Sequence, residues 1–456
     1  MGGRAIGDRT DTEYQPVIGN LAFMVRIRWF SLALALALLV GCTDDGGTAS
    51  TTSPIDGTTT TTAPGETTTT AAPRLVIEEL PGTESLPQEV RDELIELVNI
   101  TQELRELSFL EAPIVSVVTE DELEALVREQ IEEEAESLPA DQALYELLGL
   151  LDGDTDLRTM LTDLYGEQVA GFYDGDTDEL VVPITAAGFS QVQRATLIHE
   201  LTHALTDQIF DFHPKYQAMF DEERYDEASA YQALIEGDAS FAEVLYLQTL
   251  TQQELGEFFG EALQAGTEQF ESAPAFIQEA LLFPYDAGLT FVQDMYMSGG
   301  WDPVNEAYAR FLDLPGSTEQ IITPDDYERD LPIEVIMPTI EVPGYELTES
   351  SVWGELGFRI LFDEVLGDSE TLVAADGWGG DRYSFWFDGS NAVFVLVFEG
   401  DTSTDNDEAE NALLAFAQTS VPEAAFVWVE VINDQLTFIA SDVPSVGETI
   451  RDTLKG

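Results

Sequence analysis

Apolar side chains recur at intervals of three and four residues over several long segments of the chain. This periodicity predicts amphipathic helices at residues 86–107 and 120–136, on either side of a short apolar strand at residues 113–118. The same spacing continues through much of residues 191–309, which we expect to be mainly helical. The larger, N-terminal part of the folded chain is therefore predicted to consist mostly of packed helices.

A strand-like pattern interrupts these helices just before residue 191. Residues 169–173 and 180–183 are mainly apolar and enclose the polar segment 174–178, Asp-Gly-Asp-Thr-Asp. Apolar runs around such a turn sequence predict a β-hairpin.

The C-terminal part has the pattern of a small sheet. Strands are predicted at residues 381–387, 392–398, 425–431 and 435–440, with a helix at 408–418. This order predicts an antiparallel sheet covered by a helical layer. We therefore expect an α+β protein with a mainly helical domain at residues 74–345 and a small α+β module at 346–456.

The N-terminus has the layout of a lipoprotein signal peptide. Arg26 and Arg28 precede an apolar run at residues 29–41, which is shorter than the roughly 20 residues that a helix needs to span a bilayer core. The sequence Leu-Val-Gly-Cys ending at Cys42 resembles the lipobox of bacterial lipoproteins. We expect residues 24–42 to be the signal peptide and Cys42 to become lipidated after cleavage.

We expect neither of the segments on either side of this signal peptide to belong to the folded part of the chain. Residues 43–73 are almost entirely Thr, Ser, Ala, Gly, Pro and Asp, so they have little to bury and predict a disordered linker. Met24 stands just before the basic pair and is a second candidate for the translation start, in which case residues 1–23 are an upstream extension.

Composition narrows the range of partners and sites. Asp and Glu number 88 against 18 Lys and Arg, a formal net charge of −70, so the surface would repel a nucleic acid backbone. We therefore expect no nucleic acid partner. Cys42 is the single cysteine, which excludes an internal disulfide and a cysteine-based metal site.

The candidate chemistry lies in the predicted helix around residue 199. His199 and His203 are four residues apart, so both imidazoles leave one face of a helix and can bind one metal ion. Zinc accepts neutral imidazole and, with three protein ligands, keeps one position open for water. Glu200 follows the first histidine and is expected to act as general base and then general acid in peptide hydrolysis. Only three histidines occur in the chain, which argues against a chance match.

The third ligand is expected on the following helix. The third histidine, His213, does not fit the metzincin pattern, so a carboxylate is required, as in gluzincins. We favour Glu236, because its Glu-Gly pair resembles the ligand helix of aminopeptidase-type gluzincins, and Glu227 is the alternative. Asp226 is the remaining candidate on this helix, but we expect a solvated charge for it, as for Asp238.

Other residues are candidates for supporting roles. Asp207 lies four residues after His203 on the same helix face and is predicted to orient a ligand histidine. An oxyanion needs a positioned hydrogen-bond donor. The candidates are Tyr285, Tyr327, Arg382 and Tyr383, for which aromatic packing or a structural arginine is the alternative.

Further motifs accompany HELTHALTDQ. They are IEGDA at residues 235–239, PYDAG at 284–288, GGW at 299–301, GSTEQ at 316–320 and GWGGDRY at 377–383. Over roughly residues 171–383 the chain resembles a family of uncharacterised bacterial HExxH zinc metallopeptidases, often lipoproteins. The resemblance implies a zincin-like fold of the gluzincin type with one Zn²⁺ per chain. Relatives carry histidine at the position of Thr323, so no role of that histidine transfers to this chain.

The zincin resemblance also gives the predicted hairpin a role. In zincins an edge strand pairs with the backbone of the substrate, and either residues 169–173 or residues 180–183 would provide it here. We therefore predict an extracytoplasmic zinc-dependent peptidase that is tethered to the membrane through lipid on Cys42 and acts on a peptide or protein. Two alternatives remain: an inactive, zinc-stabilised binding lipoprotein, and a metal-free envelope protein in which the histidines only pack.

Overall fold

The computed structural model describes residues 74–133, 137–168, 170–184, 188–264, 266–311, 316–433 and 435–456. The predicted upstream extension, signal peptide, Cys42 and linker lie outside these residues. Within the described ranges, the chain is an α+β protein with sixteen α-helices and two sheets. No helix in these ranges is both long and apolar enough to cross a membrane.

The helices, numbered in chain order, are α1 Gln88–Arg105, α2 Glu120–Glu133, α3 Leu138–Leu148, α4 Leu157–Gln168, α5 Gln191–Phe210, α6 Phe212–Asp221, α7 Tyr225–Leu247, α8 Gln252–Ala262, α9 Glu268–Ser272, α10 Ala275–Gly299, α11 Trp301–Arg310, α12 Thr318–Ile322, α13 Gly354–Asp363, α14 Asp368–Ala375, α15 Ser403–Thr419 and α16 Pro444–Lys455. The strands are β1 Ile114–Val118, β2 Phe172–Asp174, β3 Glu179–Pro183, β4 Glu346–Ser351, β5 Trp378–Phe387, β6 Ala392–Gly400, β7 Phe426–Ile432 and β8 Gln435–Ser441.

The smaller sheet has the strand order β1-β3-β2. The hairpin is confirmed, since β2 and β3 pair antiparallel with Tyr173 opposite Leu180. β3 also pairs with β1 in parallel, Val115 lying opposite Leu180. Of the two alternatives for the edge strand, residues 180–183 are therefore excluded, because β1 and β2 occupy both sides of β3. β2 is the edge strand on the hairpin side.

The larger sheet is antiparallel and has the order β4-β5-β6-β8-β7. The four predicted strands and the predicted helix between them are present as β5, β6, β7, β8 and α15. β4, α13, α14 and α16 were not predicted. The sequence pattern does not predict β4, because its residues, ELTESS, are polar at the buried positions Glu349 and Ser351.

The core of this sheet continues into the helices that precede it. Along β6, Phe394 and Leu396 face a cluster that also contains Leu144 of α3 and Phe276 of α10. The alternate residue Val395 joins a separate small cluster on the opposite face of the sheet. Helix α3 packs directly against β6 and β8. The C-terminal sheet and the larger helical part therefore share one hydrophobic core.

Helix α5 begins and ends with recognisable capping signals. The Ser190 hydroxyl accepts from the Gln193 backbone N–H, and the Gln193 side chain accepts from the Ser190 N–H, which forms a capping box. The helix ends at Asp211, whose backbone is left-handed at φ 51°. Between these ends Leu201 and Leu205 are completely buried against α1 and α8. α5 is thus fixed in the second core of the molecule.

Two carboxylates that were expected to be solvated are buried. Asp238 on α7 is fully buried, and Asp226 at the start of the same helix is 5% exposed. The Thr318 hydroxyl donates to Asp226 Oδ1 at 2.6 Å. Burial raises the pKa of Asp226 to about 8, because the charged form is poorly solvated there and Asp381 lies near it.

Stability is expected to increase as the pH is lowered from about 8 to about 6. Burial also raises the pKa of Glu279 to about 7. Both groups hold a proton in the folded chain that an unfolded carboxyl, with a pKa near 4, has released. Unfolding then releases protons and is favoured at higher pH, by up to about 1.4 kcal/mol per pH unit for each group. The check is the urea midpoint at several pH values in the presence of a chelator.

Asp226→Asn provides the matched variant for this measurement. Asn keeps the acceptor oxygen for the Thr318 hydroxyl but does not titrate, so its midpoint should depend less on pH than that of the wild type. A midpoint that rises with pH, or an unchanged slope in the variant, would contradict this explanation.

Candidate metal centre

Two histidines on α5 form the first part of the centre. His199 and His203 lie one turn apart, and their ring centroids are 4.7 Å apart. Both are buried, with exposures of 5% and 1%. The predicted arrangement of two imidazoles on one helix face is present.

A carboxylate from α7 completes the cluster. Glu236 Oε2 lies 3.0 Å from His199 Nε2 and 3.4 Å from His203 Nε2. The potential ligand atoms of these three residues all lie within 4.8 Å of one another. The alternative ligand, Glu227, instead forms an ion pair with Arg224. The structure therefore brings Glu236, rather than Glu227, together with the histidines.

The donor set matches what zinc binds. Two imidazole nitrogens and one carboxylate oxygen are zinc ligands in proteins, and three such ligands leave a fourth position for water. Burial alone would raise the pKa of Glu236, but the neighbouring histidines lower it to about 2. Burial likewise would lower the pKa of His199, but hydrogen bonds to Glu236 and Glu243 raise it to about 10. The carboxylate thus makes the cluster attractive to positive charge.

Glu200 lies between the helix and the edge strand. Its side chain is fully buried, and its Oε2 accepts a hydrogen bond of 2.9 Å from the backbone N–H of Tyr173 on β2. This N–H points away from β3, so the free edge of β2 faces the centre. Glu200 is not one of the three clustered residues.

Asp207 has different partners from those predicted. Its Oδ2 accepts from the Tyr173 hydroxyl at 2.9 Å, and its Oδ1 accepts from the backbone N–H of His213 at 3.0 Å. It therefore fixes β2 and the start of α6 to the end of α5, and neither of these hydrogen bonds is to a ligand histidine.

A further carboxylate, Glu243, lies near the second ring nitrogen of the ligand histidine His199. Its Oε2 lies 3.7 Å from His199 Nδ1. Glu243 was not predicted, although its position two helical turns after Glu236 puts it on the same face of α7. This spacing was the available sequence signal.

Among the oxyanion candidates, Tyr285 is the residue that contacts the centre. Its ring centroid lies 6.1 Å from that of His199. Tyr285 is on α10, which packs along α7, and its side chain is buried. Tyr285 therefore remains a candidate for the residue that donates a hydrogen bond to the oxyanion.

The other three oxyanion candidates have structural contacts. Tyr327 packs edge-on against Phe291 at a centroid distance of 5.2 Å. Arg382 donates to the backbone carbonyl of Ser350 at 2.7 Å, between β5 and β4. Tyr383 is buried beneath Trp353. These contacts favour the alternative interpretation, aromatic packing and a structural arginine.

The motifs IEGDA and PYDAG are explained by a close contact between α7 and α10. A Cβ atom at Gly237 would lie 2.1 Å from the carbonyl oxygen of Gly288, and a Cβ atom at Gly288 would lie 2.0 Å from that of Ala233. Neither position tolerates a side chain at this separation. The two glycines therefore set the distance between the helices that carry Glu236 and Tyr285.

The Asp of IEGDA takes part in a buried ion pair. Arg105 Nε donates to Asp238 Oδ1 at 2.6 Å, and neither side chain is exposed. The Tyr308 hydroxyl donates to Asp238 Oδ2 at 2.9 Å. The guanidinium of Arg105 also lies 4.0 Å above the ring of Trp301, the last residue of GGW. These motif residues thus fix α1 and α11 to the ligand helix α7.

GSTEQ and GWGGDRY connect α7 to the C-terminal sheet. Thr318 bonds to Asp226, as described, and its hydroxyl accepts from the backbone N–H of Leu356 on α13. Asp381 accepts from the backbone N–H groups of Trp353 and Gly354, at the start of α13. The two motifs are structural connections between α7, α13 and β5.

The fold and site define an α+β protein with a buried pair of histidines and one glutamate. Residues 343–442 match a family described as Domain of unknown function (DUF8575). That match covers the sheet from β4 to β8 and does not include the metal centre. No curated protein and no solved structure matches the chain.

Proposed function

We propose that this protein is a zinc-dependent peptidase in which His199, His203 and Glu236 hold the metal and Glu200 transfers the proton. The observation that carries the proposal is the convergence of three zinc-type ligand atoms within 4.8 Å, in the interior, from two different helices. This geometry supports the zincin-like, gluzincin type of fold that the sequence suggested.

Zinc, when bound, would supply a positive charge that polarises a carbonyl and lowers the pKa of a water molecule. Glu200 accepts the proton of an attacking water and then donates it to the leaving amine. The hydrogen bond from the Tyr173 N–H to Glu200 Oε2 holds the carboxylate in place. Burial of Glu200 strengthens its interactions with charges that develop during the reaction.

The edge strand β2 supports a peptide as the substrate. An extended peptide can add to a free strand edge through main-chain hydrogen bonds. The free edge of β2 begins beside Glu200, where the Tyr173 N–H points away from β3. A peptide that lay along this edge would present its backbone to the general base.

We also propose that the enzyme works outside the cell membrane, attached through lipid on Cys42. The basic pair, the short apolar run and the lipobox-like sequence support this. Fractionation of cells that express a Cys42→Ser chain tests it, since the variant should leave the membrane fraction. Retention in that fraction would contradict lipid anchoring.

Zinc content of the full-length chain tests the ligand assignment. We expect about one zinc per chain in the wild type and a loss of zinc in His203→Ala and Glu236→Gln, because each change removes one of three ligands. Glu227→Gln is the matched control, since Glu227 pairs with Arg224 away from the cluster. Elemental analysis after dialysis measures the content.

The same samples are then incubated with a mixed peptide library. Zinc-dependent cleavage that is lost in the ligand variants supports the peptidase. Zinc binding without any cleavage would favour the inactive, zinc-stabilised binding lipoprotein. Failure of the wild type to bind zinc would overturn the proposal.

A further inference from the structure

A second group of carboxylates lies near the start of α7, where Thr318, the neighbour of Glu319, bonds to Asp226. Glu319 of α12, Asp330 in the loop that follows, and Asp401 directly after β6 have carboxylate oxygens within 4.8 Å of one another. Histidine takes no part in this group. Glu319 and Asp330 belong to neighbouring segments of the chain, whereas Asp401 comes from a distant one.

Glu319 is the buried member of the group. It is 4% exposed, and its carboxylate has no hydrogen bond or ion pair with any residue that the structure describes. The charges that act on it come from other acids, foremost Glu355 and then Asp330 and Asp401. By contrast, Glu355 is equally buried but is neutralised by Arg359 at 2.6 Å. Glu319 therefore points into the acidic group without a protein cation to balance it.

Contacts outside the three carboxylates position the segments that carry them. The Gln320 side chain donates to the carbonyl of Asp330 at 2.5 Å. The backbone N–H of Asp401 donates to the carbonyl of Gly377 at 3.1 Å. A Cβ atom at Gly379 would lie 2.9 Å from Asp401 Oδ1, so a glycine leaves room for this carboxylate. The segments of Glu319 and Asp330 are thus held together by a contact that does not involve their charges, and Asp401 has room beside Gly379.

Carboxylates at this separation, one of them buried, repel one another unless a proton or a cation lies between them. Oxygen ligands without histidine or cysteine favour a hard divalent cation over zinc. Asp330 is half-buried and Asp401 is exposed, so water can supply the remaining ligands on the solvent side. Calcium accepts six to eight oxygens in irregular arrangements, whereas magnesium requires a near-ideal octahedron.

We propose that Glu319, Asp330 and Asp401 form a calcium site that joins α12 and its following loop to the end of β6. Calcium bound there would neutralise Glu319 and link the helical part of the chain to the C-terminal sheet. The site is independent of the zinc centre and uses none of its ligands.

The test measures binding of Ca²⁺ to the full-length, chelator-treated chain by equilibrium dialysis and by thermal unfolding. In the wild type we expect saturable binding and a rise of the unfolding temperature with Ca²⁺. Glu319→Gln and Asp401→Asn should weaken this binding at least about tenfold, because each removes a charged ligand. Glu334→Gln and Asp407→Asn are matched controls that remove one exposed charge from the same parts of the chain.

Glu319→Gln has a second expected signature that a misfolded variant would not show. Without calcium it should be at least as stable as the wild type, because no charge can form at the buried position, yet gain little from added Ca²⁺. Equal Ca²⁺ binding by Glu319→Gln and its control would overturn the proposal. So would an equal response to Mg²⁺, or the absence of saturable binding up to about 10 mM, above the range of extracellular calcium modules.

Discussion

A Glu200→Gln chain is expected to retain its zinc and to lose hydrolysis, with kcat lower by about 10²- to 10⁴-fold. Gln preserves the size of the side chain and an oxygen that can accept the Tyr173 N–H at 2.9 Å. It cannot take a proton from water, nor return one to a leaving amine. Initial rates on a cleaved library peptide at saturating zinc, with zinc content determined in the same samples, provide the measurement.

Glu243→Gln is the matched control for this experiment. Glu243 lies near His199 Nδ1 on the side away from the other ligands, so its loss should weaken zinc binding by about 10- to 100-fold and leave kcat nearly unchanged at saturating zinc. Wild-type turnover in Glu200→Gln would exclude this residue as the base. Loss of zinc from Glu200→Gln would instead indicate that Glu200 maintains the site.

We expect the second large effect, a loss of stability, from a change in the buried ion pair of Arg105 and Asp238. Arg105→Met should lower the free energy of unfolding by about 3–5 kcal/mol, because Asp238 would remain buried with an uncompensated charge. The Tyr308 hydroxyl alone cannot replace the guanidinium. Urea unfolding of the variant and the wild type gives the difference.

An exposed ion pair supplies the comparison. Arg128 and Glu124 on α2 form a pair at 2.6 Å whose side chains are each more than half exposed. Arg128→Met should therefore cost no more than about 1 kcal/mol. If Arg105→Met proved as mild as Arg128→Met, the ion pair with Asp238 would not be the element that fixes α1 to α7.

The sequence alone was sufficient to predict those features that depend on the spacing of residues within one helix. The two histidines of α5 are one helical turn apart in any regular helix, and capping at Ser190 fixes where that helix begins. Glu236 was predicted from its neighbour Gly237, and the structure supplies the physical reason. The ligand helix must approach α10 closely at Gly288, which a side chain would prevent.

Features that depend on distant partners were missed or misread. The position of β3 in its sheet is decided by β1, which precedes it by more than sixty residues and pairs in parallel. Asp226 and Asp238 were expected to be solvated, because their partners Thr318 and Arg105 are 92 and 133 residues away. A charged residue beside a motif does not reveal by itself whether a distant residue will neutralise it.

The region that matches DUF8575 shares its core with a helix outside the match. The apolar inner face of its sheet is covered by α13 and α15 from within the matched residues and by α3 from outside them. The matched segment by itself would leave the part of the face under α3 exposed to water. In another chain that contains such a segment, we expect a different element to cover this part of the face, or polar residues to replace the apolar ones there.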